Sequence, residues 1–359
     1  MNIAFAAHNY DRREGTGGYV VEILTRVARH HDVTLYAAAA RAPVPEGVRF
    51  VRVPALRGSA YATILSFPAA FAAVRGRHDI LHAQGWVTGR AEVVTAHIVL
   101  AAWRRAARLA GVRTPMGERL FGGFVASREA RLFATGARAI IAPSQKAGRE
   151  IAEWYGRTEG VHVVPHGFPA PGASADRAAA RRRFGLDPQA FVALYVGDGR
   201  KGLAPAIQAL ETARNAHLLV VGRSRLEPFR HLAERLGVGG RVHWPANIVS
   251  VSEAYAAADV LVHATIYDTF GLTVAEAMAA GLPVIVSREA GVTELISHGT
   301  TGWIVERPDG PTVAAAMDGL AADPARCRAL GEAARRVAAE WSWDRAAADT
   351  MAVYDAVRG

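Results

Sequence analysis

One cysteine in 359 residues rules out a disulfide-stapled fold. That residue, Cys327, lies in an alanine-rich stretch with no histidine nearby and reads as a plain thiol, which suits a reducing cytoplasm. No run approaches the ~18 consecutive apolar residues that a membrane-spanning helix needs. The nearest candidate, Ala60 to Val74, is broken by Thr63, Ser66 and Pro68 and reads as a packed helix pair. The start, MNIAFAAHNY, lacks a basic leader, so no export signal is expected. His78 and His82 stand four apart, but in a strand pattern rather than on a helix face, so they do not make a zinc pair.

Lysine is scarce too: Lys146 and Lys201 stand against 40 arginines. The formal charge of +9 is segregated, with 22 basic and 12 acidic residues in 1–170 and 20 and 21 in 171–359. The excess is densest at Arg104, Arg105, Arg108, Arg113, Arg119, Arg128 and Arg131. A one-sided basic surface attracts anionic partners. No nucleic-acid-binding motif accompanies these arginines, so nucleic acid is not expected. An anionic membrane leaflet or an anionic acceptor is the favoured partner, and a merely solvated helix face the plainer alternative.

What is abundant is alternation. Short β-branched runs and alanine-rich helical stretches follow one another from end to end, the pattern of an α/β protein with parallel sheets. The predicted strands of the first half are Asn2–Ala7, Asp32–Ala37, Val48–Val53, Asp79–Ala83, Glu92–Ala96, Ala139–Ala142 and Val161–Val164. A linker rich in proline, glycine, serine and alanine follows at Gly167–Ala180. The alternation then restarts with Val192–Val196, His217–Val221, Val242–Trp244, Val260–His263 and Pro283–Ser287. This predicts two similar domains, 1–170 and 171–340, facing across a cleft. Open parallel sheets bind ligands beyond the carboxyl ends of their strands.

Three loops carry candidate chemistry. Gly15-Thr16-Gly17-Gly18 follows the first strand and precedes a helical stretch from Tyr19, so backbone and helix N-terminus can meet an anion there. Gly197-Asp198-Gly199-Arg200-Lys201-Gly202 has the literal form of a dinucleotide fingerprint. The next strand, however, ends in Arg223 rather than an acidic residue, which leaves only an NADP-linked oxidoreductase as a rival with no hydride-transfer site elsewhere. Arg200 and Lys201 are better read as cations for a departing diphosphate. The third loop bears Asp268, then Gly271 and a short helix carrying Glu276, closed by Gly281. The amides of Phe270, Gly271, Leu272 and Thr273 stand at that helix's positive end, where they can hold phosphate or sugar hydroxyls.

The block Asp268 to Val284, with Phe270-Gly271, Glu276-Ala277-Met278-Ala279 and Gly281-Leu282-Pro283, resembles the signature of the retaining glycosyltransferases of family 4. Arg200-Lys201-Gly202, the diglycine Gly17-Gly18, and Val93-Val94-Thr95-Ala96-His97 match further family segments in order. The resemblance implies a GT-B fold, two Rossmann-like doubly wound domains, with a terminal helix from Trp341 to 359 crossing back to the first. It implies a nucleotide diphosphate sugar donor, a UDP-sugar above all, in the second domain and an acceptor in the first. Glu276 would accept from the nucleotide's ribose, Asp268 from a sugar hydroxyl, and the amides of Phe270 to Leu272 would line that sugar. Lys201, with Arg200, would clamp the diphosphate, and His97 would stand beside the transferred sugar. Asp268 departs from the family's usual glutamate, His166 stands where asparagine is common, and Asp198 follows Gly197 where the family often has arginine. No D-x-D occurs, so no metal or other cofactor is expected. The implied acceptor is a cell-envelope glycan or glycolipid, since the second half is broadly similar to lipopolysaccharide-core transferases. That fits a cytoplasmic enzyme in peripheral contact with an anionic membrane. A nucleotide-sugar-binding subunit without catalysis is the alternative; it would have lost Lys201 or His97.

Overall fold

The computed structural model describes all residues but 14, 113, 170–175, 223–225, 246–250 and 359. Arg113, Arg223 and the middle of the expected linker therefore lie outside the described residues. The chain forms two compact units, Met1–Gly167 with the segment from Trp343, and Phe168–Ser342.

The first unit is built on a seven-stranded sheet of β1 (Asn2–Tyr10), β2 (Asp32–Ala40), β3 (Arg49–Arg52), β4 (Ile80–Gln84), β5 (Ala91–Thr95), β6 (Ala137–Ala142) and β7 (Val161–Val163), in the order β3-β2-β1-β4-β5-β6-β7. Its helices are α1 (Gly15–Val27), α2 (Ala60–Val74), α3 (Leu100–Leu109), α4 (Met116–Arg131) and α5 (Gln145–Tyr155). The second unit holds α6 (Arg177–Arg183), α7 (Leu203–Ala209), α8 (Glu227–Arg235), α9 (Val251–Ala257), α10 (Leu272–Ala279), α11 (Gly310–Ala321) and α12 (Pro324–Glu340). Its six-stranded sheet is β8 (Phe191–Val196), β9 (Ala216–Val221), β10 (Val242–His243), β11 (Val260–His263), β12 (Val284–Ser287) and β13 (Trp303–Val305), in the order β10-β9-β8-β11-β12-β13. The last helix, α13 (Trp343–Arg358), belongs to the first unit.

Every strand pair is parallel. Helices cover both faces of such sheets, so the inner strands read as unbroken apolar runs. Val260-Leu261-Val262 and Val284-Ile285-Val286 are buried throughout. In each sheet the strand order turns back beside its first strand, between β1 and β4 and between β8 and β11. Loops leaving the carboxyl ends diverge there and open a crevice for a ligand.

Local readings needed correction in three places. Ala60–Val74 is one helix, not a pair. Ser59 caps it, the Ser66 and Thr63 hydroxyls donate back to the Ala62 and Ser59 carbonyls, and buried Phe67 and Phe71 hold it across Pro68. The first helix begins at Gly15, so the glycines form its first turn rather than a loop ahead of it. Gly17 is required there by its own chain, since a Cβ would come within 2.3 Å of the Asp11 carbonyl oxygen. Finally, β13 was not anticipated, being three residues between Gly302 and Glu306.

Packing within the first unit explains the buried histidine of β4. His82 is fully buried, with Nδ1 2.7 Å from the Tyr354 hydroxyl of α13 and Nε2 2.7 Å from the Thr95 hydroxyl. Burial pushes its pKa down to about 3, so it serves as a neutral bolt between α13 and the sheet. Arg26 Nε to Asp344 Oδ1 at 2.8 Å ties α13 to α1 from outside.

Candidate active site

In the second unit the site is assembled at the crevice between β8 and β11. The loop leaving β8 is set by Tyr195, whose buried hydroxyl accepts from the Gly199 and Lys201 amides at 3.0 and 3.3 Å. Gly202, with φ of 100°, closes the loop so tightly on β11 that a Cβ would meet the Ala264 carbonyl oxygen at 2.2 Å. This contact brings Lys201 over the loop that leaves β11. Its Nζ lies 2.7 Å from Asp268 Oδ2.

The same oxygen lies 3.1 Å from His263 Nε2. Burial would raise the Asp268 pKa, but the Lys201 ammonium and the His263 hydrogen bond outweigh it and hold the carboxyl far below the ordinary range. Asp268 Oδ1 accepts from the Phe270 amide at 3.3 Å, so that amide is engaged inside its own loop. The Phe270 ring is buried edge-on against Phe168. Gly271, with φ of 113°, caps α10, and the amides of Leu272 and Thr273 open its first turn. The helix ends in a Schellman motif, with Leu282 N–H donating to the Ala277 carbonyl and Gly281 N–H to that of Met278.

Glu276 points a carboxyl oxygen, Oε2, at the Tyr255 hydroxyl of α9, 2.7 Å away. Burial raises its pKa and the tyrosine hydrogen bond partly offsets this. Arg200 is elsewhere: it is exposed and folds back on Asp198, with Nε and Nη2 at 2.9 and 2.5 Å from Oδ2. The structure thus brings Lys201 and Asp268 together, sets Glu276 apart on α10, and gives Arg200 an aspartate partner in its own loop. His263 and Tyr255 were missed. Each sits inside an apolar run, and only the fold shows that one supports Asp268 and the other Glu276.

In the first unit His97 follows β5, and its Nε2–H donates to Gln84 Oε1 at 2.8 Å. Burial pushes the imidazole down to about 3, so it is neutral with Nδ1 as its acceptor atom. Tyr19 packs against it at 5.0 Å, and His166 stacks between Tyr19 and Trp343. That ring cluster accounts for the histidine at 166. His97 and Gln84 line a cavity of about 280 Å³ together with Thr16. Gly17 is packed on Asp11 and Gly18 follows it in α1.

The arginines at 104, 105, 108, 119, 128 and 131 are exposed on α3 and α4, beside exposed Leu120, Phe121 and Phe124. Among the described residues no helix is long and apolar enough to cross a membrane.

The chain is similar to known proteins over most of its length. Residues 176–337 match the family model described as glycosyl transferases group 1, and residues 13–170 match that of glycosyltransferase family 4. The chain is 30% identical over 376 residues to the D-inositol 3-phosphate glycosyltransferase of Segniliparus rotundus, covering 94% of this chain and 81% of the relative. It is 29% identical over 379 residues to D-inositol 3-phosphate glycosyltransferase 1 of Catenulispora acidiphila, covering 95% and 90%. Among solved structures it is similar to WaaG, a glycosyltransferase involved in lipopolysaccharide biosynthesis, with a TM-score of 0.79, 24% identity and 97% and 99% of the two chains covered. It is also similar to HepE of Anabaena in complex with UDP and glucose, with a TM-score of 0.76, 17% identity and 99% and 100% covered. At these identities the likeness of structure speaks for the fold, which is GT-B.

Proposed function

The chain belongs to the group 1 glycosyltransferases, and on that premise we propose that it transfers a sugar from a nucleoside diphosphate sugar with retention of anomeric configuration. The donor binds the second unit and is a UDP-sugar, a choice favoured by the similarity to HepE, whose structure holds UDP and glucose. The acceptor binds the first unit. The observation that carries the proposal is the meeting of Lys201 and Asp268 at the crevice between β8 and β11.

Glu276 accepts from the ribose hydroxyls through the oxygen that Tyr255 leaves available. The amides opening α10 face the sugar and phosphate oxygens at a positive helix end. Lys201 supplies a compact positive charge where the bond between the anomeric carbon and the diphosphate oxygen breaks. Arg200 adds to it by exchanging Asp198 for phosphate. Neutralisation by these side chains is the role a metal plays elsewhere, so no metal is required. Asp268 is held ionised and accepts from a donor-sugar hydroxyl rather than attacking carbon. With Asp268 committed to Lys201 and His263, it is not placed as a covalent nucleophile. The acceptor hydroxyl therefore attacks on the face the diphosphate leaves, and its proton passes to the departing phosphate oxygen.

The exposed arginines and apolar residues of α3 and α4 favour an anionic, amphipathic surface, as a membrane carrying a lipid-linked envelope acceptor would present. The relatives named for D-inositol 3-phosphate favour a phosphorylated cyclitol as the second acceptor reading.

Lys201→Ala tests the assignment. Turnover at saturating donor should fall by ~10²–10³-fold, the effect of losing one preorganised charge stabiliser. Unchanged turnover would remove Lys201 from the mechanism.

A further inference from the structure

The two loops that leave β8 and β11 carry four formally charged side chains, and their charges cancel. Arg200 and Lys201 are the cations, Asp198 and Asp268 the anions. Each cation is already paired. Lys201 Nζ lies 2.7 Å from Asp268 Oδ2, and Arg200 Nη2 lies 2.5 Å from Asp198 Oδ2. A diphosphate arriving here meets no net positive charge from these loops. It has to take a cation from a carboxylate.

The two pairs differ in how firmly they are held. Asp268 is buried and bonded by Lys201, by His263 and by the Phe270 amide. The Asp198 and Arg200 side chains are 40% and 64% exposed and stand two residues apart in one loop. An exposed ion pair of this kind is weak and screened, so it yields to a stronger anion. A guanidinium grips phosphate oxygens in the same two-pronged way as it grips a carboxylate. The pair that opens is therefore the one between Asp198 and Arg200.

The shape of the loop does not ask for a charge at 198. Tyr195 fixes its backbone by accepting from the Gly199 and Lys201 amides. Gly199 packs so closely on Phe229 that a Cβ would come within 2.4 Å of the ring, and Gly202 rests on Ala264. Asp198 Oδ1 accepts from the Arg200 amide at 3.2 Å, a turn that asparagine or serine closes as well. What the turn does not need is the negative Oδ2, which accepts from Nε and Nη2 of Arg200.

We infer that Asp198 is a built-in competitor for the donor's diphosphate, holding Arg200 while the site is empty and weakening the grip on the nucleotide once Arg200 has changed partners. This rests on the glycosyl-transfer reading and deepens it by naming a residue that sets donor and product affinity. The released carboxylate stays in the same loop as the cations that hold the diphosphate and repels it. Binding is thereby kept reversible, and the spent nucleotide is held loosely.

Asp198→Asn keeps the turn and deletes the charge, and Asp198→Ser is the second variant. The full-length parent, both variants, Arg200→Ala and the double variant Asp198→Asn/Arg200→Ala are titrated calorimetrically with UDP, ADP and GDP and with the matching nucleosides. The nucleoside diphosphate that the parent binds should bind about 3- to 10-fold more tightly to Asp198→Asn and Asp198→Ser. Screening should shrink that gain at high salt. The matching nucleoside, which has the ribose but no phosphate, should bind parent and variants alike. Arg200→Ala should bind the diphosphate more weakly than the parent, and adding Asp198→Asn to it should recover only about 2-fold or less. Unchanged or weaker diphosphate binding in both charge-deleted variants, a gain shared equally by the nucleoside, or an equal gain with and without Arg200 would each overturn the inference. Any of these results in a parent that binds a nucleoside diphosphate removes the role of Asp198 alone. A parent that binds no nucleoside diphosphate removes the donor reading and this inference with it.

Discussion

Buried carboxyls divide the chemistry of this molecule at the scale of single residues. Asp268 is kept ionised by Lys201 and His263, whereas burial pushes Glu129 up to about 7. Glu129 Oε1 accepts from the Leu100 amide and the Tyr155 hydroxyl, both at 2.6 Å, which ties α4 to α3 and α5. A carboxyl whose folded pKa lies above its unfolded value favours the folded state most when protonated. Its contribution is complete below about pH 4.5 and is lost as pH rises through about 7. Glu129→Gln removes that titration. The variant should gain stability relative to the parent between pH 4.5 and 7, by on the order of 3 kcal/mol. Thermal unfolding across that range measures it, and a pH-independent difference would show that Glu129 is not protonated in the fold. Of the site residues, Lys201 was legible because lysine is so rare here, and Asp268 and Glu276 because of their spacing. Tyr255 and His263 were not, since their value lies in contacts across the unit that no local pattern records. Arg200 was legible as a cation but not as Asp198's partner, two residues away.

Elements were more legible than residues. Parallel strands buried on both faces must be apolar along their length, so the sheets show in the sequence except for β13, whose three residues give no run to recognise. Ala60–Val74 misled because Thr63, Ser66 and Pro68 look like breakers, while in the fold the Ser66 hydroxyl donates to the Ala62 carbonyl inside the helix and that of Thr63 to the Leu56 and Ser59 carbonyls at its start. Glycines are the other element-scale device. Gly202 lets the start of α7 rest on β11, with φ of 100° and 2.2 Å between a Cβ there and the Ala264 oxygen. Gly202→Ala should cost at least ~1–3 kcal/mol. Gly319→Ala, at an exposed position of α11 with nothing within 4 Å of the added Cβ, should instead stabilise by ~0.5–1 kcal/mol. Circular dichroism melts of the two variants decide this, and similar melts would mean that the loop does not depend on that close approach.

For the whole molecule, one topology is used twice, and each sheet's crevice holds a different set of groups. The second unit offers a lysine, two carboxyls and a helix start, the needs of a diphosphate and a ribose. The first offers a neutral imidazole and an amide around a small cavity within an arginine-rich exterior. Composition recorded that segregation as net charge, but only the fold shows that the basic residues lie on the outside of α3 and α4. The central claim is that the second unit grips a nucleoside diphosphate through Glu276. Calorimetric titration of UDP into the parent and into Glu276→Ala tests it most directly. Loss of a charged acceptor for the ribose should weaken binding ~10–100-fold, and an unaltered dissociation constant would contradict the account.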